Sequence, residues 1–436
     1  METNFKRILN DFTTKAWLAT VALSLFCVSI VYIAFFVERY EHFQLFSAFT
    51  ISFLAYILIC STSSISQLKL YLGIGIIIRF ILIFSMPSLS DDIYRFIWDG
   101  RAMLNGIHPF SLTPEQIITS GQTFHGLDTQ LYNKLNSPHY FSIYPIVNQF
   151  VFYTSSWLAS DNIYLNTILI KLFLFACEML SLWAGIRLLK YKQLPTTRIL
   201  WYALNPLIIL EICGNAHFEG AMIAFLALSL YFIFRQNTMY SAMSFALSVA
   251  SKMLTAMFLP MISLHYIKKK KWKWIAFTII FLLLTSIPIL LNFNILNSLD
   301  LYFRKFEFNA SFYYLFRWIG FQIIGYNLIH YIGPIMASLS IGIILVISIL
   351  KNKQSQWFQS MFWIFIVYLL MSTTVHPWYL SMLLFLGIFN NYRFPYLWSF
   401  LIFFSYTNYQ YQAFHENLFV VCLEYIAVLI AIFLEI

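Results

Sequence analysis

Apolar stretches long enough to cross a bilayer recur along the whole chain, separated by short polar connections. A transmembrane helix needs about 20 mostly apolar residues. The pattern therefore predicts about twelve spans, at residues 17–37, 44–60, 69–86, 162–190, 197–212, 217–235, 273–294, 329–350, 357–375, 377–391, 396–409 and 417–435.

The lysines and arginines between these spans predict the orientation. If the N-terminus is cytoplasmic, most of them fall on the cytoplasmic side, as the positive-inside rule expects. The lysine run at 268–273 stays on that side only if residues 239–266 form a broken, re-entrant pair turning at Ser251-Lys252. The long polar insertion at 87–161 then lies outside, as do connections near 214–218, 295–326, 376 and 410–416.

Composition supports a lipid environment. The 436 residues are 60% hydrophobic and only 10% charged, whereas soluble domains carry about 25% charged residues. The net charge of +9 is explained by cytoplasmic loops, so the bilayer is an expected partner and nucleic acid is not. The bias towards Ile, Phe, Asn and Lys is typical of a bacterial protein, which indicates the plasma (inner) membrane.

We interpret the whole chain as one all-α polytopic membrane domain, with a re-entrant pair besides the twelve helices. Residues 1–86 form the N-terminal helices, residues 87–161 form an outer loop with short amphipathic helices, and residues 162–436 form the remaining spans. Function is expected where the outer connections converge, because binding and catalytic residues concentrate on loops held by a rigid scaffold.

The outer loop begins with an acidic motif after Ser90, a residue type that often caps a helix. Apolar positions at helical spacing predict an amphipathic helix along the outer membrane surface, ended by Asn105-Gly106. Asp92, Arg95 and Asp99 fall on its polar side. A structural interpretation is also open, because acids favour a helix N-terminus and i,i+4 ion pairs support any exposed helix.

The same residue types fit group transfer to a hydroxyl. A positioned carboxylate takes the proton of an attacking hydroxyl, and cations stabilise a departing phosphate. Asp91 and Asp92 are the candidate bases, and Arg95 and Arg101 are the candidate phosphate ligands. The adjacent acids also leave a divalent cation, Mg²⁺ or Mn²⁺, open as a cofactor.

The motif of residues 90–106 resembles the first-loop signature of glycosyltransferases of the C superfamily, and more narrowly of bacterial polyprenyl-phosphate-mannose-dependent mannosyltransferases. Further landmarks follow in the same order over most of the chain: Tyr144-Pro145 with Gln149, Asn205-Pro206 with Glu211, Gly214 and His217, Ser251-Lys252, residues 306–311 with Tyr313, and residues 376–379.

The resemblance implies a polyprenyl-phosphate sugar donor, direct displacement with inversion at the anomeric carbon, and an acidic first-loop residue as the base. In relatives an aromatic residue follows this acid at the fourth position. Asp92 with Phe96 has that spacing and Asp91 with Arg95 does not, so Asp92 is favoured and Asp91 is the second candidate.

Other outer residues complete the candidate site. A lysine at membrane depth is costly and usually functional, so Lys252 is expected to bind the donor phosphate, the alternative being a lysine that reaches up to the interface. Substrate binding is assigned to a set of polar and aromatic residues on the outer connections: Trp98, Asp99, His217, Glu219, Asn309, His376 and Tyr379. For His217 and Glu219 polar capping, and for His376 and Tyr379 an ordinary aromatic belt, are the structural alternatives.

The predicted activity is transfer of a hexose, mannose by the resemblance, to a glycan, lipid-linked or protein acceptor on the extracytoplasmic side. The rival from another class is a lipid-linked sugar transporter or other secondary transporter. Such proteins are marked by paired broken helices in two matching halves, and this sequence has no visible repeat.

Overall fold

The computed structural model describes residues 2–292, 294–351, 353–410 and 416–436, and for residues 2–16, 299 and 301–303 it describes the backbone alone. Within these ranges the chain is helical, with one isolated parallel bridge between Phe308 and Thr374. The helices of eight or more residues are Glu2–Phe36, His42–Thr62, Leu68–Leu82, Asp92–Leu104, Ile146–Ala159, Ile163–Tyr191, Glu219–Phe234, Thr238–Ser251, Leu259–Lys268, Trp272–Leu291, Ile295–Arg304, Phe312–Ile324, Ile329–Leu350, Trp357–Met371, Leu380–Gly387, Phe394–Leu401 and Leu418–Glu435.

Shorter helical turns join them. These are Pro114–Thr119, Thr129–Tyr132, Thr196–Ile199, Leu200–Ala203, Pro206–Ile208, Ile209–Gly214, Met253–Phe258, Gln354–Gln356, Pro377–Tyr379 and Ile402–Asn408. The first two confirm the prediction of short helices in the outer loop. Residues 411–415 of the expected connection at 410–416 lie outside the described residues.

Six helices of the described chain are long and apolar enough to cross a membrane, which supports a polytopic membrane protein: Trp17–Phe36, His42–Thr62, Ile163–Tyr191, Trp272–Leu291, Ile329–Leu350 and Leu418–Glu435. The predicted count of twelve is not confirmed. The other expected spans are shorter or interrupted helices. In residues 197–212 the interruption has a local cause, because Asn205 caps a new helix at Leu207 and Pro206 removes a backbone donor.

Two helix breaks matter for the site. The segments Pro206–Gly214 and Glu219–Phe234 meet at 108°, and His217 lies in the connection between them. The predicted break at Ser251-Lys252 is confirmed, since the helix Thr238–Ser251 ends there and Lys252 has extended backbone angles of φ −158° and ψ 125°. The return of the following segment to the cytoplasmic side stays a prediction.

The first-loop helix is confirmed at Asp92–Leu104, and protein covers its apolar side and most of its polar side, while Asp92 stays partly exposed. Its position along the membrane surface stays a prediction. Arg95, Asp99 and Arg101 are buried. A Cβ on Gly100 would lie 2.2 Å from the carbonyl oxygen of Phe152. This close approach locks the helix against Ile146–Ala159 and so fixes the direction of Asp92.

The buried core also holds charged groups. Arg79 Nε lies 3.0 Å from Glu178 Oε2, and Tyr202 donates a hydrogen bond to Glu178 Oε1 at 2.7 Å. Lys171 instead donates to the carbonyl and hydroxyl of Ser85. These contacts join the helices Leu68–Leu82 and Ile163–Tyr191, as expected of structural groups that satisfy one another inside a bundle.

Candidate active site

Asp92 begins the first-loop helix, where the helix dipole favours a negative charge. Asn136 Nδ2 donates a hydrogen bond to Asp92 Oδ1 at 2.7 Å. The second oxygen, Oδ2, lies 3.9 Å from Nδ1 of His217, and 21% of the side chain is exposed. One oxygen is therefore held by the outer loop while the other faces the histidine and remains accessible.

His217 lies between two carboxylates. Its Nε2 is 3.3 Å from Oε2 of Glu211, a side chain that is fully buried. Glu211 accepts hydrogen bonds from the Tyr406 hydroxyl at 2.8 Å and from Asn215 Nδ2 at 3.2 Å. The imidazole thus lies between the partly exposed acid Asp92 and the buried acid Glu211, within ion-pair distance of both and without a hydrogen bond at Nε2.

A column of rings runs from His217 across the site. Trp378 stacks on His217 with ring centroids 3.8 Å apart, and His376 stacks on the other side of Trp378 at 4.4 Å. Phe308 covers His376 at 4.5 Å. Burial, with smaller contributions from the neighbouring Lys252 and His217, lowers the pKa of His376 to about 3. His376 is therefore a neutral ring at physiological pH.

Lys252 lies beside the ring column, over Tyr379, whose ring packs against the edge of His376 with centroids 5.5 Å apart. Its ammonium group pairs with Glu219 and stands 4.5 Å from the ring centroid of Tyr379. The Glu219 side chain is only 2% exposed, whereas 27% of the Lys252 side chain is exposed. The helix break at Lys252 thus presents a positive charge that an incoming anion can reach.

The structure brings together six of the predicted residues: Asp92, His217, Glu219, Lys252, His376 and Tyr379. Asp91 points to a different partner, because its Oδ2 forms an ion pair with Arg39 Nη2 at 2.6 Å. The two adjacent acids therefore have separate environments. Their predicted roles as first and second candidate base remain predictions.

Arg95 is buried within the loop of residues 87–161. Its Nε donates to Asp99 Oδ1 at 2.8 Å, and its Nη1 donates to the carbonyl oxygens of Ser137 and Tyr140. Ser142 donates to the other oxygen of Asp99 at 2.5 Å. These bonds tie the segment that carries Asn136 to the helix that carries Asp92.

Arg101 and Trp98 are buried in the same loop. Arg101 donates to the carbonyl oxygens of Gly126 and Asp161, both at 2.8 Å, and burial lowers the pKa of its guanidinium. Trp98 packs near Tyr132, with ring centroids 6.1 Å apart. These contacts suit residues that hold the loop together, and a direct role in binding phosphate or substrate stays a prediction.

Asn309 is buried in a separate cluster. Its side-chain amide donates to both oxygens of Glu424 at 3.2 Å, and its backbone N–H donates to Glu416 Oε1 at 2.6 Å. The neighbouring Phe308 reaches the ring column, and its backbone pairs with residues 373–375. Asn309 thus anchors the strand-like segment behind His376, and its predicted contact with substrate stays untested.

Four residues beyond the predicted set help to build the site: Asn136, Glu211, Trp378 and Tyr406. Glu211 and Trp378 stood among the sequence landmarks without an assigned role. Asn136 stands in a polar stretch of the sequence and Tyr406 in an aromatic one, and no motif marks either residue.

Metal binding stays a prediction. Among the described residues no three His, Cys, Asp or Glu side chains converge as a metal site would require. Asp91 and Asp92 have separate partners, Arg39 and Asn136.

Comparison with known proteins gives this arrangement its family. A family model described as "Alpha-(1->6)-mannopyranosyltransferase, N-terminal domain" matches residues 45–268, just over half of the chain and the part that carries Asp92, Glu211, His217 and Lys252. The chain belongs to this mannosyltransferase family. The predicted glycosyltransferase resemblance is thereby confirmed.

A curated relative agrees with the family. Over 182 residues the chain is 22% identical to alpha-(1->6)-mannopyranosyltransferase A of Mycobacterium tuberculosis. This aligned stretch is 41% of this chain and 33% of that protein. The match thus spans about a third of the relative's length. No solved structure is significantly similar to the chain.

Proposed function

We propose that the protein transfers mannose from a polyprenyl-phosphate donor to a hydroxyl acceptor outside the plasma membrane, forming an α-1,6 linkage. One observation carries the proposal: one ring cluster joins an accessible carboxylate and an accessible cation. Asp92 faces His217 at one end of the ring column, and Lys252 stands over Tyr379, whose ring packs against the edge of His376 in the same column. Family membership supports the sugar and the linkage.

The donor phosphate would bind Lys252. A phosphodiester would contact the exposed side of the ammonium group, which keeps its pairing with the buried Glu219 and its position against the Tyr379 ring. The lipid tail would lie against the apolar helices that surround the site. A cation next to the leaving oxygen lowers the barrier because negative charge grows there as the bond to the sugar breaks.

Asp92 would act as the general base. Its Oδ1 is held by Asn136, so Oδ2 is the oxygen available to the acceptor hydroxyl. The acceptor oxygen bonds to the anomeric carbon, the carbon–phosphate-oxygen bond breaks, and the hydroxyl proton passes to Asp92. Direct displacement inverts the configuration, so an α-linked product requires a β-linked donor.

Proteoliposomes with purified protein test the proposal. We expect labelled mannose to move from polyprenyl-phosphate mannose to an α-1,6-dimannoside, with an α linkage in the product. A soluble nucleotide-activated mannose should not replace the lipid donor. Failure with every lipid-phosphate donor and with glycan, lipid-linked and peptide acceptors would overturn the proposal, and transport of an intact lipid-linked sugar would favour the transporter.

A further inference from the structure

We propose that His217 and Glu211 form a proton relay behind Asp92, with Glu211 as a buried positioning residue that stabilises the imidazolium form of His217. The inference rests on the proposed function, because it describes where the acceptor's proton goes after Asp92 takes it. The path runs from Asp92 Oδ2 to His217 Nδ1, with Glu211 Oε2 next to His217 Nε2.

The backbone conformation of residues 209–217 places His217 next to Glu211. Residues Ile209–Gly214 form a π-helical turn, and Asn215 N–H closes it on the carbonyl of Leu210 at 2.8 Å. The chain then turns at Ala216, whose φ is +63°, so the backbone N–H of His217 donates to the carbonyl of Glu211 at 3.1 Å. π-helical turns are frequent at functional sites. Here the turn folds His217 back over Glu211.

Both side chains are fixed in place. Trp378 covers one face of the His217 imidazole at 3.8 Å between ring centroids, with 17° between the planes. Tyr406 and Asn215 hold the two oxygens of Glu211. The separation of 3.9 Å between Asp92 and His217 is longer than a hydrogen bond. Such catalytic contacts commonly shorten when substrate is bound.

The negative charge of Glu211 determines the direction in which the proton would move, towards His217. Glu211 is fully buried, and in the described residues His217 is the one basic group within ion-pair distance of it. A buried carboxylate without a cation is costly. An imidazolium at His217 would give the buried carboxylate of Glu211 a counter-ion, so the pair can take up the charge that arises as the acceptor loses its proton.

The proton balance closes without another reactant. The acceptor's proton moves to Asp92 and then to His217 as the new glycosidic bond forms and the lipid phosphate leaves with the electron pair. His217 returns the proton to water when the products depart. Four titratable groups surround the imidazole on other elements: Asp92, Glu211, His376 and, across the ring column, Lys252. Only the two acids favour its charged form.

The test uses three full-length variants in proteoliposomes: Glu211→Gln, His217→Gln and the double variant. We expect each single change to lower kcat by about 10²-fold, the lower range of acid–base catalysis, without a change in the KM values for donor and acceptor. The double variant should be no slower than the slower single variant, because the residues of one relay act as a unit.

The pH profile separates a relay from a packing role. In Glu211→Gln the acid-side midpoint of kcat should move to lower pH, because His217 loses the charge that favours its protonation. Glu178→Gln, which removes another fully buried glutamate that pairs with Arg79 away from the site, should leave the profile unchanged. Should Glu211→Gln fold poorly, His217→Gln alone must lower kcat by about 10²-fold at unchanged KM values and move the acid-side midpoint of kcat.

Multiplied losses in the double variant, or an unmoved pH profile, would overturn the relay. Wild-type turnover in Glu211→Gln would overturn it as well. These results differ from failure of the proposed function, in which the wild-type protein itself would transfer no mannose.

Discussion

Replacing Lys252 by methionine separates two consequences that one residue carries. The change removes the cation proposed to bind the donor phosphate, and it leaves Glu219 buried without its partner. Breaking a fully buried ion pair costs about 3–5 kcal/mol. Because 27% of the Lys252 side chain is exposed, solvent screening reduces the expected loss to about 2 kcal/mol, and the lost contact with Tyr379 adds about 0.5 kcal/mol.

The double variant Lys252→Met/Glu219→Gln tests this assignment. It removes the unpaired charge, so most of the lost stability should return. With an unfolding entropy of about 2.1 cal/mol/K per residue for a single domain of 436 residues, a loss of about 2.5 kcal/mol lowers the melting temperature by roughly 3 °C, and the double variant should regain most of it. Donor binding should remain weak in both variants, since neither has the cation.

The assays are thermal unfolding in detergent and the donor KM in proteoliposomes. We expect both variants to raise the donor KM by at least about tenfold, which corresponds to 1.4 kcal/mol of lost binding. The acceptor KM should be unchanged. A wild-type donor KM in the stable double variant would refute the phosphate role of Lys252. A double variant as unstable as the single one would refute the ion-pair reasoning.

Three further predictions follow from the packing. Gly100→Ala should destabilise the protein by at least about 1 kcal/mol and reduce turnover, because its Cβ would lie 2.2 Å from a backbone carbonyl oxygen. The control Gly73→Ala meets nothing within 4 Å and should melt like the wild type. Arg79→Met should cost about 3–5 kcal/mol by leaving Glu178 unpaired, and combining it with Glu178→Met should restore stability; equal melting of the single and double variants would contradict this. The pKa of His376 is about 3 when folded and 6.5 when unfolded. The unfolded state therefore binds the extra proton, and the stability of the protein should fall as pH drops from 6.5 towards 3. The fall should be shallower in His376→Asn, and an unchanged slope would count against a neutral His376 in the folded protein.

Local patterns in the sequence predicted much of this fold. The six longest apolar helices were foreseen, because a continuous apolar stretch of that length has few stable alternatives to a membrane helix. The breaks were harder to place. Asn205-Pro206 gives a visible signal, and yet the same apolar stretch is equally compatible with one straight span and with two short helices.

In the candidate site, too, the sequence identified some residues and misjudged others. Lys252 could be chosen from residue type and position, since a charged group at membrane depth is costly and usually functional, whereas the preference for Asp92 over Asp91 needed the resemblance to the family. Arg95 and Arg101 looked equally available, but the loop folds over them and uses their donors for its own carbonyls. That outcome depends on contacts with residues 126–161, far along the chain, which helix spacing does not encode.

Long-range contacts also explain the residues that were overlooked. Asn136 reaches Asp92 from 44 positions away, and Tyr406 reaches Glu211 from 195 positions away. Neither lies in a motif of its own. The ring column likewise joins His217 to residues 376–378 and Phe308, so its existence follows from the packing of three segments.

The central claim is that Asp92 is the base of a mannosyl transfer. The most direct test compares Asp92→Asn with its neighbour Asp91→Asn in the same proteoliposome assay. Both variants lose one carboxylate at adjacent positions, but Asp91 forms a partly exposed ion pair with Arg39, which contributes about 0–1 kcal/mol. We expect Asp92→Asn to lower kcat by about 10²-fold or more, and Asp91→Asn to retain most of the activity. Equal turnover in the two variants, or loss in Asp91→Asn alone, would contradict the account.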